Sequence, residues 1–321
     1  MNVLEAQGLD KTFAAGGMFR AIGKGKRAAT DVSFKLEAGE TLAIVGESGS
    51  GKSTVARLVM RLLKADRGRI FWQGEDITSL SVRALRKRRN HVQMVFQDPF
   101  ASLNPRMKIW QSVAEGLRVH RPGLAQSDLR KRVAATMSLC GMDESGLDRY
   151  PHQFSGGQRQ RIGIARSLIV EPKALVLDEP VSALDVSVQA QILNLLRQLQ
   201  LKTGLAYLFI SHDLSVVRHV ADRVMVMFAG RIVEQGSGSE IFRHPRHPYT
   251  QSLLNALPIS HPKERVPGAG NGDIGEGQAD AGCAYRLRCP NAAADCNNFD
   301  GRLNEQGVAC LHPIARSRRH P

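Results

Sequence analysis

The sequence predicts an α/β protein built on a parallel sheet, and three observations carry that prediction. Ala174-Leu175-Val176-Leu177 and the run at 206–210 are short apolar strands, separated by a helix whose apolar stripe is Val188, Ile192, Leu195, Leu196 and Leu199. Strand–helix–strand alternation around such strands indicates a parallel sheet covered on both faces. A third apolar run, 41–45, leads into a glycine-rich turn and then a helix from Lys52, with Val55, Leu58, Val59, Leu62 and Leu63 on one face. Finally, hydrophobic residues make up 42% of the 321 residues while aromatics are only 5%, which favours an aliphatic helix-rich core over an all-β sandwich.

The elements follow in order. Residues 1–45 read as short strands around 3–9, 31–36 and 41–45, with 14–30 a glycine- and lysine-containing insertion expected as a surface loop. Residues 64–98 return to strand and turn signals, interrupted by a basic run at 86–89 expected on a solvated helix face. Residues 100–170 read as helical, with Ser127 as an N-cap ahead of Leu129, Val133, Met137 and Cys140 at helical spacing. After about residue 235 the texture changes: prolines at 245, 248, 258, 262 and 267 precede a glycine-rich linker at 268–282 and a polar segment ending in Arg316, Arg318 and Arg319. No internal repeat is evident, so a single catalytic module is expected, spanning 1–235 with a helical subdomain at about 100–165 and an extension at 236–321.

No run of about 18 apolar residues occurs, so no bilayer-spanning helix is expected. Residues 1–30 lack the apolar run and cleavage site of a signal peptide, which reads as an intracellular chain. Lys plus Arg total 44 against 30 Asp plus Glu, a net charge of +14 that favours polyanions: nucleotides, nucleic acid or an anionic membrane surface. Five cysteines are too few for a disulfide scaffold at this length, yet four of them crowd the last forty residues.

The chemistry concentrates in a few segments. Gly46-Glu47-Ser48-Gly49-Ser50-Gly51-Lys52-Ser53-Thr54 satisfies G-x4-G-K-[ST] between a strand and a helix. Glycines let successive backbone N–H groups converge on phosphate oxygens, and the following helix presents its positive end. Lys52 is placed to bridge the β- and γ-phosphates, and the Ser53 hydroxyl to ligate Mg²⁺. The strand 174–177 runs into Asp178-Glu179, an acidic pair at the carboxyl end of a parallel strand, where such sheets bind ligands. Asp178 is suited to Mg²⁺ and Glu179 to polarising an attacking water as general base. Ser155-Gly156-Gly157-Gln158, after Phe154, opens another helix with a hydroxyl, bare N–H groups and a dipole. One nucleotide does not need two such anion sites from one chain, so the second is expected to serve a nucleotide held by another copy or a homologue.

Together with Ser182-Ala183-Leu184-Asp185 and with His212 after the next strand, these motifs stand in the order of the ATP-binding cassette (ABC) transporter ATPases, which residues 1–235 resemble. The resemblance implies a P-loop NTPase core with an N-terminal antiparallel β-subdomain and a helical signature subdomain. It implies that Gln97 contacts Mg²⁺ and water, that His212 contacts the γ-phosphate, and that Asp185 belongs to a loop communicating across a dimer. It also makes Phe13 the candidate for stacking on adenine, with an ordinary core aromatic as the alternative. Phe154 stands where the commonest signature has leucine; both are apolar.

The tail narrows the resemblance. His247-Pro248-Tyr249-Thr250-Gln251-Ser252-Leu253-Leu254, then Gly282-Cys283 and Arg288-Cys289-Pro290, resemble the C-terminal extension of dipeptide/oligopeptide permease ATPases. The segment from Glu179 through Val186 resembles the second of the two ATPase subunits that those permeases carry. Cys283, Cys289, Cys296 and Cys310, spaced C-x5-C-x6-C-x13-C, sit in a segment too polar to make its own core, which points to a bound metal. The spacing lacks the knuckle of most zinc sites. Four cysteinates can hold a [4Fe–4S] cluster, the reading the family implies, with zinc or free thiols as alternatives. Cys140, on an apolar helix face, reads as a core cysteine.

The function implied is ATP-driven import of dipeptides, oligopeptides or a related solute. The implied partners are a homologous ATPase, two transmembrane permease subunits and an extracytoplasmic binding protein, with this chain peripheral on the cytoplasmic face of the inner membrane. The region 97–104, with the helices that follow it, is the implied permease contact. Related systems carry nickel, glutathione or oligosaccharides. The main rival, a soluble ABC ATPase acting on nucleic acid, suits the +14 charge, but no zinc finger, helix-turn-helix or RNA-binding motif accompanies it. A third reading, an iron–sulfur regulator with secondary nucleotide turnover, sits poorly with complete catalytic motifs.

Overall fold

The computed structural model describes residues 1–14, 25–98, 102–257 and 282–315. Most of the expected linker at 268–282, the tail arginines at 316, 318 and 319, and part of the insertion and of the implied permease contact lie outside these residues.

The apolar runs define a six-stranded sheet of order β10-β9-β3-β8-β7-β6. Its strands are β3 (Thr41–Val45), β6 (Val92–Val95), β7 (Ala174–Asp178), β8 (Ala206–Ser211), β9 (Arg223–Phe228) and β10 (Arg231–Ser237). All neighbours are parallel except β10, which turns back antiparallel on β9. Because side chains alternate across a strand, the sheet divides the core in two. Ala43, Val45, Leu175, Leu177, Tyr207 and Phe209 face one apolar cluster. Leu42, Ile44, Ala174, Val176, Leu208 and Ile210 face the other.

The second cluster is closed by a four-stranded antiparallel sheet, β2-β1-β4-β5, from β1 (Asn2–Phe13), β2 (Lys26–Glu37), β4 (Arg67–Trp72) and β5 (Glu75–Asp76). The loop expected over 14–30 is therefore shorter at its far end, since Lys26 already pairs with Phe13 and Arg27 with Thr12. Exposed basic residues at the start of β2 mask its period. Helix α1 (Lys52–Val59) lies on this side. It stops before Leu62 and Leu63 because Arg61 takes a left-handed φ of 51°. The Arg61 guanidinium then donates to the carbonyls of Thr78 and Leu80. Helix α2 (Val82–Arg88) carries Arg86 and Lys87 on its open side, with Arg88 forked onto Glu75, but Arg89 caps the helix half-buried and donates to the Met60 carbonyl.

Helices α3 (Ile109–His120), α4 (Gln126–Leu139) and α5 (Gly156–Leu168) pack on the other cluster through Trp110, Val113, Leu117, Leu129, Val133, Met137 and Ile162. The cap of α4 is Ala125, extended at φ −63° and ψ 151°, and not Ser127, which falls in the first turn. The backbone turn from Arg121 to Leu124 sets that entry. Cys140 is fully buried, and burial pushes its thiol up to about 12, as befits a packing residue. The remaining α-helices among the described residues include α6 (Val186–Thr203), α7 (Leu214–Val220), α8 (Gly238–Arg243) and α9 (Pro248–Asn255).

The segment 282–315 has little regular structure beyond a 3-10 turn at Ala294–Asn298. It is nonetheless tied to the cassette. Tyr285 is 2% exposed and joins the first core cluster. The Ala309 N–H donates to the Val233 carbonyl, and the Gln235 N–H to that of Gly307. The tail thus pairs with the outer side of β10 and covers a sheet edge. No helix among the described residues is long and apolar enough to cross a membrane.

Candidate nucleotide site

The phosphate loop joins β3 to α1 at the carboxyl edge of the central sheet. Gly46 and Gly51 adopt φ of 151° and 109°, and a Cβ on either would stand 2.1 Å from a carbonyl oxygen, of Met227 and Ala28 respectively. No side chain fits at either position, so the motif glycines are dictated by packing as well as by backbone angle. The Lys52 ammonium is buried and donates to the carbonyls of Gly46 (2.7 Å) and Glu47 (2.8 Å). Burial lowers its pKa, opposed by the carboxylates of Glu179, Asp178 and Glu47.

Asp178 ends β7 beside this loop and accepts a hydrogen bond from the Ser53 hydroxyl at 2.9 Å. Its carboxyl is pushed up by burial. A hydroxyl and a carboxylate so placed form a hard oxygen donor pair suited to Mg²⁺.

Glu179 follows in a left-handed conformation, φ 49°, rare for a residue with a Cβ. Its N–H donates to the Ile210 carbonyl (3.0 Å) and its own carbonyl accepts from the Ser182 hydroxyl (3.1 Å), so the backbone is held on both sides. The carboxylate is reached by Gln97 Nε2 at 3.0 Å and lies 3.1 Å from His212 Nδ1. The structure therefore brings Gln97, Asp178, Glu179, His212, Lys52 and Ser53 together, from three strand ends and the phosphate loop.

The signature residues form a separate helix entry. Ser155 caps α5, accepting from the Gln158 N–H, while Gln158 Oε1 accepts from the Ser155 N–H at 3.0 Å. This reciprocal box leaves the N–H groups of Gly156 and Gly157 as first-turn donors. A Cβ on Gly157 would meet Val188 Cγ1 at 2.4 Å, so the signature packs directly on the start of α6. That start is capped by Asp185, which accepts from the Val188 N–H at 2.9 Å; Ala183 is exposed beside it, and Leu184 lies 3.4 Å from where a Gly156 Cβ would be.

Phe13 stands at the end of β1, 42% exposed, with Lys11 Nζ 5.9 Å from its ring. It is not a core aromatic. Its partner across the strands, Lys26, places Nζ 3.7 Å from the position of a Gly49 Cβ. Lys26 is a cation beside the phosphate loop that sequence reasoning left inside an insertion. Two residues that the sequence placed only in the tail motif also reach this loop: the Glu47 N–H donates to the Tyr249 hydroxyl (2.9 Å), and Arg288 grips the Glu47 carboxylate at 2.8 and 2.9 Å.

The four tail cysteines converge. Cys283, Cys289, Cys296 and Cys310 line one small pocket with His247 and His312. Burial raises the thiols of Cys283 and Cys289, and that of Cys310 to about 11. A cation bound there would reverse that balance by stabilising thiolate. Asp295, Cys296 and His312 also bring ligand atoms within 4.8 Å of one another, a mixed donor set sharing Cys296 and His312 with the pocket.

A parallel sheet whose strand ends gather a phosphate loop, an acidic pair and a polar Gln–Glu–His cluster defines a P-loop nucleotide-binding protein. Comparison with known proteins takes this further. Residues 29–182 match the ABC transporter family, and 233–296 match the oligopeptide/dipeptide transporter C-terminal region. The chain is 48% identical to the oligopeptide transport ATP-binding protein OppF of Haemophilus influenzae, over 89% of this chain and 88% of the relative. It is 46% identical to the dipeptide transport ATP-binding protein DppF of Escherichia coli, over 89% and 86%. Among solved structures, a dimeric post-hydrolysis ATP-binding cassette, MJ0796, bound to ADP and Pi superposes with TM-score 0.65 at 27% identity, covering 73% of this chain and 98% of that one. CbiO1 of Clostridium perfringens, part of an ABC transporter complex, does so with TM-score 0.66 at 31%, covering 76% and 91%. The chain belongs to the ABC transporter ATPases, in their oligopeptide/dipeptide transporter group.

Proposed function

We infer that this chain is the ATP-hydrolysing subunit of an ABC importer for oligopeptides or dipeptides. The observation that carries the chemistry is the Glu179 carboxylate, bracketed by Gln97 and His212 and one residue from the Asp178–Ser53 pair. ATP binds with its phosphates on the loop 46–54, drawn by converging N–H groups and by Lys52. Ser53 and Asp178 hold Mg²⁺, with Gln97 nearby; the ion supplies charge neutralisation at the phosphate oxygens. Glu179 accepts a proton from the attacking water. Its fixed backbone keeps the carboxylate aimed, and His212 orients it from the solvent side. Phe13 supports the adenine from the end of β1, with Lys26 adding positive charge to the phosphate loop.

Ser155, Gly156, Gly157 and Gln158 serve a nucleotide on a partner ATPase, with residues 182–185 at the seam. The transport names of the relatives support peptides as cargo and support permease subunits as membrane partners. The remaining assignments are an extracytoplasmic binding protein, a homologous rather than identical ATPase partner, and a position on the cytoplasmic face of the membrane. The cassette spans 1–235 and the extension 236–321. Cys283, Cys289, Cys296 and Cys310 hold a [4Fe–4S] cluster that stabilises the extension.

Affinity purification from membranes tests the assembly. Permease subunits and a second ATPase should accompany the tagged chain, and the reconstituted complex should take up peptide with ATP. Recovery of nucleic acid in place of membrane subunits would defeat this reading.

A further inference from the structure

The carboxylate of Glu47 is a liability in its place. It sits in the loop that receives the phosphates, where a second negative group opposes binding. It is held by Arg288, 241 residues away, through two parallel hydrogen bonds of 2.9 and 2.8 Å. That fork is built, not incidental. The Arg288 guanidinium lies 5.6 Å from the ring centroids of both Phe228 and Tyr285. Those rings form one cluster with Tyr249, at centroid separations of 4.6 to 5.3 Å. Tyr249 itself accepts the Glu47 backbone N–H. The side chain and the backbone of a single phosphate-loop residue are therefore both fixed from the C-terminal part of the chain.

We propose that Arg288 is a positioning residue for nucleotide binding: by neutralising and fixing Glu47, it couples the C-terminal segment to the ATP affinity of the phosphate loop. Arg288 immediately precedes Cys289, so the turn that carries a pocket cysteine also carries the latch. The inference rests on the loop being the nucleotide site, as proposed above.

The test uses the full chain, with equilibrium displacement of a fluorescent trinitrophenyl-ATP by ATP. Arg288→Met should weaken ATP binding about tenfold, a modest loss because the pair is partly exposed. Adding Glu47→Gln to that variant should restore most of the affinity, since the unpaired carboxylate is then gone. Glu47→Gln alone should bind ATP at least as tightly as the natural chain, and decides the matter should Arg288→Met not fold. In the assembled complex, Arg288→Met should raise KM for ATP and leave kcat at saturating ATP unchanged. Unchanged affinity in Arg288→Met, no restoration by Glu47→Gln, or weaker binding by Glu47→Gln alone would each overturn the proposal. Failure of the natural chain to bind ATP, or binding undiminished by Lys52→Ala, would instead overturn the nucleotide-site reading itself.

Discussion

Glu179, proposed above as the general base, is constrained in both its backbone and its side chain. Its left-handed φ is tolerated because neighbours hold its N–H and carbonyl on each side. Replacing it by Gln preserves volume and removes the proposed base. ATP should still bind, while single-turnover hydrolysis in the assembled complex should fall by about 10²–10⁴. Turnover near that of the natural chain would take the base role away from Glu179. Residues of this kind were legible in the sequence because the chemistry is written in adjacent letters: a lysine after glycines, two acids after an apolar strand. Arg288, Tyr249 and Lys26 were not. Each reaches the site from a different part of the chain, and nothing local to an arginine before a cysteine says that it closes on residue 47.

At the scale of elements, the strands buried on both faces and the α6 stripe followed directly from apolar runs and helical spacing. Boundaries were harder. The early end of α1 depends on the conformation of Arg61 and its hydrogen bonds to distant carbonyls, and the start of α4 on a backbone turn. The contact between the signature helix α5 and α6 allows a specific prediction. Gly157→Ala places a methyl against Val188 Cγ1, a stiff β-branched neighbour, so overpacking should cost about 1–3 kcal/mol in urea unfolding. Val188→Ala in the same chain should recover most of that loss. If Gly157→Ala unfolds at the same urea concentration as the natural chain, the two elements do not pack as described.

For the molecule as a whole, the C-terminal segment is bound to the cassette by buried aromatics, by strand-edge hydrogen bonds and by the latch on Glu47. Its cysteine pocket supplies the remaining prediction. Protein purified without oxygen should be brown, with about four irons and four sulfides per chain, and Cys289→Ser should lose them. The variant should also show lower thermal stability, because ligand bonds to the proposed cluster would supplement the small core of this polar segment. One zinc without sulfide would make the pocket a zinc site, and an absence of metal would reject both. That four cysteines spread over 283–310 share one pocket agrees with an expectation drawn from their spacing, the polarity of the segment and the family resemblance. The mixed Asp295–Cys296–His312 grouping was not expected, since it depends on how the tail folds back on itself.

The order of the strands also governs how the chain can be made. Thr41 on β3 pairs with Tyr207, and Leu42 with Arg223, so the central strand is synthesised long before either of its neighbours exists. At a translation rate of ~5–20 residues per second, the ribosome takes roughly 10–30 s to supply them. During that interval an apolar strand with two unpaired edges is displayed on the nascent polypeptide. The edge of β10 waits longer still, until residues 307–309 emerge from the exit tunnel. A chain truncated before residue 307 lacks the segment that pairs with β10 and so leaves that strand's outer hydrogen-bonding groups without their partners at 307–309.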